Sequence, residues 1–289
     1  MTKPENIELF LAENAYSEAT RRSYRYALKR FIRECEIFEF LESFQALEPV
    51  SFRKWLFSHD WNSNSRWLYY SAVRAYIKWK FDDDHPALRL RIKRNASAPQ
   101  RTLTLKQAEE IYQYLEKIET PKGIRDLAIY SLALDTGLRA SEICNIDISR
   151  IDFEHRMVTV KVKGGDWGLA IFSPITAQNL RKWLEVRSDY VKDAEALFVG
   201  IKGVKPGSRM TSDGLRGIVR KWGKKTGVGK LSPHDFRRTF AIISTLNQAP
   251  TRLVQMAGRW KNIKEVQRYT RGLRLKEFDR YLPMREVAN

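Results

Sequence analysis

Cysteine, histidine and long apolar runs are all scarce in this 289-residue chain. Cys35 and Cys144 stand alone and fit no metal-ligand or redox spacing, so a zinc site and a disulfide framework are excluded and two buried thiols in a reducing compartment are expected. The four histidines, His59, His85, His155 and His234, are scattered and form no His-x-His pair, a poor fit to metal-nuclease or histidine-pair chemistry; no metal and no cofactor is expected. No apolar stretch approaches the ~18 to 20 residues of a membrane span. The opening Met1-Thr2-Lys3-Pro4-Glu5-Asn6 lacks the apolar core of a signal peptide, and a cytoplasmic protein is expected. Acidic residues are also in deficit. Thirty-four Asp and Glu face 52 Lys and Arg, a net charge of +18, of which +4 falls in residues 1–100 and +14 in residues 101–289. Such an excess suits a polyanionic partner.

What remains is ordinary globular material, 43% apolar and long enough for two domains that each bury a core. Residues 5–82 read as helices. From Ser17 to Cys35, Tyr24, Leu28, Phe31 and Ile32 recur at helical spacing behind a Ser17 cap, with Arg21, Arg22 and Arg25 on the remaining surface. From Ser63 to Phe81 the stripe is Trp67, Tyr70, Val73, Tyr76, Ile77 and Phe81, flanked by Arg66. Arg91, Lys93 and Arg94 lead into a basic, small-residue stretch, and a linker over 95–103 is expected between a helical domain at 1–94 and a second domain at 104–289. That second domain opens with helices over 105–117 and 123–134, broken at Gly137. Val158, Val160 and Val162 then alternate with Thr159, Lys161 and Lys163, a half-buried strand that turns at Gly164-Gly165-Asp166 and returns over 169–172. The fold class expected is mainly α with a small antiparallel sheet (α+β).

Three boxes carry chemistry. Thr136-Gly137-Leu138-Arg139 places an arginine just after a helix break. Ser232-Pro233-His234-Asp235 is a strong helix start, and it sets His234 and Arg237 three apart on one helical face, beside a favourable place for an anion. Tyr269 follows Trp260 by nine residues. Two arginines for non-bridging oxygens, an imidazole to accept a proton and a tyrosine hydroxyl are what attack on a phosphodiester requires.

These boxes resemble those of the tyrosine recombinase (lambda-integrase-like) family. The resemblance assigns Arg139 and Arg237 as phosphate clamps, Glu142 as an acidic residue that orients neighbours, His234 as proton acceptor and Tyr269 as nucleophile. Val162-Lys163-Gly164 stands for the family's Gly-Lys-Gly element, so Lys163 is the expected general acid and Lys161 the alternative. The family commonly has a Gly-His pair where this chain has Arg259-Trp260, and an indole there can pack and donate one N–H but cannot shuttle a proton. The resemblance further implies that residues 1–94 form a SAM-like core-binding domain, with Arg21, Arg22, Arg25, Arg66, Arg91, Lys93 and Arg94 as DNA contacts. It also implies a 3′-phosphotyrosyl intermediate on double-stranded DNA in the nucleoid, and a homo-tetramer on two sites, one dimer per site, with any accessory proteins left open. The apolar face Leu275, Phe278, Tyr281 and Leu282 would form a helix that folds back or is exchanged between protomers. Two other functions fit the same residues: a type IB topoisomerase-like enzyme, or a DNA-binding protein without activity.

Overall fold

Unpaired backbone donors at helix starts set where the helices begin. In the computed structural model, which describes residues 6–41, 43–93, 101–162, 165–202 and 205–270 (side chains to Gln267), Ser17 Oγ accepts from Thr20 N–H at 3.3 Å and Asn62 Oδ1 from Ser65 N–H at 2.9 Å. Thr104 and Gln107 cap each other reciprocally. The chain divides into two units, 1–98 and 99–289.

The first unit contains α1 (Ile7–Glu13), α2 (Glu18–Cys35), α3 (Pro49–Phe57) and α4 (Ser63–Lys80). Phe10, Phe31, Phe44, Phe52, Trp55 and Tyr76 fill its core, with Phe31 stacked on Phe44 at 4.5 Å. One carboxylate is buried among them. Glu34 accepts from Trp55 Nε1 at 2.6 Å and Arg30 Nε at 2.7 Å, which satisfies it. Cys35, expected to be buried, is only half-buried, whereas Cys144 is enclosed.

The second unit contains α5 (Leu105–Glu116), α6 (Pro121–Thr136), α7 (Ala140–Cys144), β1 (Ile151–Asp152), β2 (Met157–Lys161), β3 (Trp167–Ile171), α8 (Pro174–Arg187), α9 (Ser212–Lys225), α10 (Pro233–Leu246), α11 (Thr251–Ala257) and α12 (Ile263–Thr270). α6 packs against α5, α8 and α10 and is buried along most of its length. The sheet is antiparallel in the order β1-β2-β3, with Thr159 opposite Leu169 and Lys161 opposite Trp167. Val158, Val160 and Ala170 face the core. β1 was not anticipated, because two residues are too few to show an alternation.

Arg101 and Leu103, read as the end of a linker, are anchored in the second unit. Arg101 Nη1 donates to Lys230 O at 2.6 Å, Leu103 N–H donates to Thr239 Oγ1 at 2.9 Å, and the Leu103 side chain is buried. Arg94, the stretch 95–100 and the apolar C-terminal segment with Leu275, Phe278, Tyr281 and Leu282 lie outside the described residues. No described helix is long and apolar enough to cross a membrane.

Candidate active site

The site is built on the break after α6. Gly137 caps that helix at φ +57°, where a side chain is disfavoured, and a Cβ there would come within 2.8 Å of Phe240 Cδ1. The turn delivers Arg139 to the start of α7. Glu142, 3% exposed, accepts from the Arg139 backbone N–H at 2.9 Å and from its Nη1 at 2.6 Å. One carboxylate thus fixes both the backbone and the guanidinium of Arg139, whose side chain stays 33% exposed.

α10 supplies the next two groups. The Asp235 carboxylate accepts from Ser232 N–H at 2.7 Å and from Ser232 Oγ at 3.0 Å, closing the helix start that the Ser-Pro pair predicts. His234, beside it, keeps a solvent-accessible edge. Loss of hydration, reinforced by the charges of Arg238, Arg237 and Arg139, nevertheless lowers its pKa to about 4, so the ring is neutral at pH 7 and able to accept a proton. Arg237 is 1% exposed. It donates from Nη1 to Gly137 O and from Nη2 to Gly258 O, each at 2.6 Å, and its guanidinium carbon sits 4.3 Å above the Trp260 ring.

Trp260 is 4% exposed and packs with Ala241, Val254 and Val266, its ring 6.2 Å from Phe240. A Cβ at Gly258 would fall 1.8 Å from that ring, so the glycine leaves room for the indole. Val266 belongs to α12, and the backbone position of Tyr269 is one helical turn further on. The Tyr269 side chain and Lys163 lie outside the described residues, and Lys161 is exposed at the end of β2. Arg139, Glu142, His234, Arg237 and Trp260 therefore gather at one place.

Three of the DNA-contact candidates also converge. Arg66, Arg91 and Lys93 line a cleft of about 350 Å³ in the first unit together with Arg53, which the sequence reading missed. Arg21, Arg22 and Arg25 do not line it. Arg25 is held by Glu8 through two contacts of 2.7 Å, and Arg66 donates to Leu56 O and Trp61 O, so both are partly committed to the fold. The sequence reading, which took the rest of the second domain as helical, did not single out the basic face of α9, where Leu215, Val219 and Trp222 are buried while Arg216, Arg220, Lys221, Lys224 and Lys225 are exposed. Its i, i+3/i+4 pattern was visible in the sequence. Among the described residues no group of three or more His, Cys, Asp or Glu side chains could hold a metal ion.

The pattern of the Phage integrase family matches residues 101–274. The chain belongs to that family of tyrosine recombinases. Tyrosine recombinase XerA of Pyrococcus furiosus is 30% identical over 269 residues, covering 92% of this chain and 88% of that protein. Tyrosine recombinase XerC of Corynebacterium glutamicum is 32% identical over 204 residues, 69% of this chain and 65% of that one. The crystal structure of XerH site-specific recombinase bound to palindromic difH substrate superposes with a TM-score of 0.75 at 18% identity, covering 92% of this chain and 80% of that one. This last likeness shows that the chain has the recombinase fold, helical with a small antiparallel sheet.

Proposed function

We propose that this protein is a site-specific DNA recombinase that cuts and rejoins double-stranded DNA through Tyr269. The observation that carries the reading is the convergence of two arginines and a neutral imidazole on the Gly137 turn and the start of α10. Tyr269 Oη attacks the scissile phosphorus, His234 takes the phenolic proton, and the P–O5′ bond breaks as Lys163 protonates the leaving oxygen. The product is a 3′-phosphotyrosyl link and a free 5′-hydroxyl. Arg139 and Arg237 stabilise the charge that grows on the non-bridging oxygens, and loss of one such donor slows a reaction of this kind on the order of 10²- to 10³-fold. With guanidinium groups neutralising the phosphate, the step is metal-independent and needs no nucleotide, because the phosphotyrosyl bond conserves the energy for religation.

The first unit is the core-binding domain, gripping phosphates through the Arg53, Arg66, Arg91 and Lys93 cleft, and the exposed cations of α9 do the same for the catalytic domain. XerH holds a palindromic substrate, and the same two-fold logic gives a dimer of this chain per site and a tetramer on two sites. A groove of about 470 Å³, lined by Leu105, Ala108, Tyr112, Leu134, Phe240 and Ile243, offers an apolar seat for the C-terminal segment of a neighbouring protomer. The setting is the cytoplasmic nucleoid.

Recombination and simple relaxation are told apart on a supercoiled plasmid carrying two copies of a site selected by the protein from a random DNA pool. The expected product is a pair of smaller circles that depends on both sites. Relaxed topoisomers without deletion, formed equally on a plasmid lacking the sites, would assign the type IB topoisomerase reaction instead.

A further inference from the structure

Arg259 occupies a backbone conformation that glycine prefers, with φ +55°. Its guanidinium reaches carbonyl oxygens on three separate segments: Ala257 O from Nη1 at 2.6 Å, Thr136 O from Nη2 at 2.9 Å, and Leu169 O on β3 from Nη1 at 3.4 Å. Arg237 meanwhile holds Gly137 O and Gly258 O. Two guanidinium groups therefore bridge the same pair of backbone segments side by side, one taking residues 136 and 257, the other 137 and 258. Arg259 also extends the bridge to the hairpin, at Leu169 O. β3 makes room for it at Gly168, where a Cβ would stand 2.9 Å from Arg259 Cδ. Burial, with Arg139 nearby, lowers its pKa to about 10 while Glu142 raises it, so Arg259 remains charged at pH 7 and shares the field of the Arg139–Glu142 pair.

We infer that Arg259 is a positioning residue that ties the β2–β3 hairpin to the Arg139 turn, and so sets where Lys163 stands when it protonates the leaving oxygen. This inference rests on the recombinase reading above. A planar fork with several N–H groups can span three carbonyls in fixed directions, whereas a lysine ammonium is a single point on a flexible stem. β2 ends at Lys161 and β3 begins at Trp167, Val162 N–H donates to Asp166 O at 2.8 Å, and Lys163 lies in the sequence between those two residues. A tether at Leu169 therefore fixes the strand that returns from the loop bearing the acid.

The test uses the full chain in single-turnover cleavage of a nicked suicide substrate, alongside the same substrate with sulfur at the 5′-bridging position, whose thiolate leaves without needing a proton. Arg259→Gly suits the backbone and should retain DNA affinity and its salt dependence. It should cut ordinary DNA about 10- to 100-fold more slowly, the scale of loss expected from ångström misplacement of a catalytic group, and recover to near the wild-type rate on the sulfur substrate. Arg259→Lys should fall between. Gly168→Ala, which pushes on Arg259 without removing it, should show the same sulfur rescue and add little when combined with Arg259→Gly, as coupled neighbours do; it also keeps the inference testable if Arg259→Gly folds poorly. A wild-type rate for Arg259→Gly on ordinary DNA, or a loss that sulfur leaves in place, overturns the inference. Weaker binding with a shallower salt dependence also overturns it, since Arg259 would then be touching phosphate. If the wild-type protein forms no adduct on either substrate, the recombinase reading itself fails, and this inference fails with it. An adduct from wild type with indifferent Arg259 and Gly168 variants removes only the inference.

Discussion

Gly137→Ala strikes a residue on which both proposed phosphate-clamping arginines depend. Placing an alanine at φ +57° costs roughly 1 to 2 kcal/mol. Its Cβ would lie 2.8 Å from Phe240 Cδ1 and 3.1 Å from Cγ, and relieving such overpacking costs typically ~1 to 3 kcal/mol. Phe240 cannot retreat freely, because it packs against Trp260, which lies beneath Arg237. The two contributions together give about 2 to 5 kcal/mol, which for a unit of this size lowers its melting temperature by roughly 4 to 20 °C. Movement of the turn displaces Gly137 O, the acceptor for Arg237, and Arg139 two residues on. Cleavage should therefore fall about 10²-fold at a temperature where the variant is folded. Circular dichroism melting and single-turnover adduct formation measure the two effects. Gly227→Ala is the control, since Gly227 has φ +71° but nothing within 4 Å of an added Cβ, so it should lose only ~1 to 2 kcal/mol and keep its cleavage rate. A Gly137→Ala protein that melts within about 2 °C of wild type and cleaves normally refutes the reasoning.

Trp260→Ala removes a buried indole and the face under Arg237, at about 3 to 5 kcal/mol, whereas Trp260→His keeps a flat ring and an N–H donor and should lose less in both melting temperature and cleavage rate; equal losses would mean that neither feature matters. The folded-state pKa of His234, about 4, lies below its ordinary value, so the neutral form, the proposed proton acceptor, persists well below pH 6.5. The stability linked to that neutral ring is fully present above pH ~6.5 and is lost as pH falls toward ~4, with solvent at its exposed edge screening part of the effect. Adduct formation at subsaturating DNA should accordingly stay flat from pH 7.5 to ~5.5, and a limb centred near pH 6.5 that disappears in His234→Gln would contradict this.

Where the information was local, the sequence could be read. Ser17, Thr104 and the Ser232-Pro233-Asp235 start mark helix ends because a cap bonds to backbone within three residues of itself. Val158 and Val160 announce a strand because burial on one face imposes a period of two. Gly137 reads as a helix break for the same local reason. The work of Arg237 and Arg259 on carbonyls at 136, 137, 257 and 258 was not legible, since it depends on segments more than a hundred residues apart being brought side by side. Arg259 was passed over as the neighbour of Trp260, and its positive φ is a property that only the folded chain displays. The cations of α9 and Arg53 were legible in principle, but charge alone does not tell a solvated face from one that meets a phosphate backbone.

The proposed reaction joins Tyr269 to DNA. Incubation with a nicked suicide substrate, followed by proteolysis and mass spectrometry of the nucleotide-bearing peptide, measures it directly. The expected result is a 3′-phosphotyrosyl adduct on Tyr269, abolished in Tyr269→Phe with DNA binding preserved, and retained in Tyr281→Phe. An adduct on another residue, or one that persists in Tyr269→Phe, would contradict it.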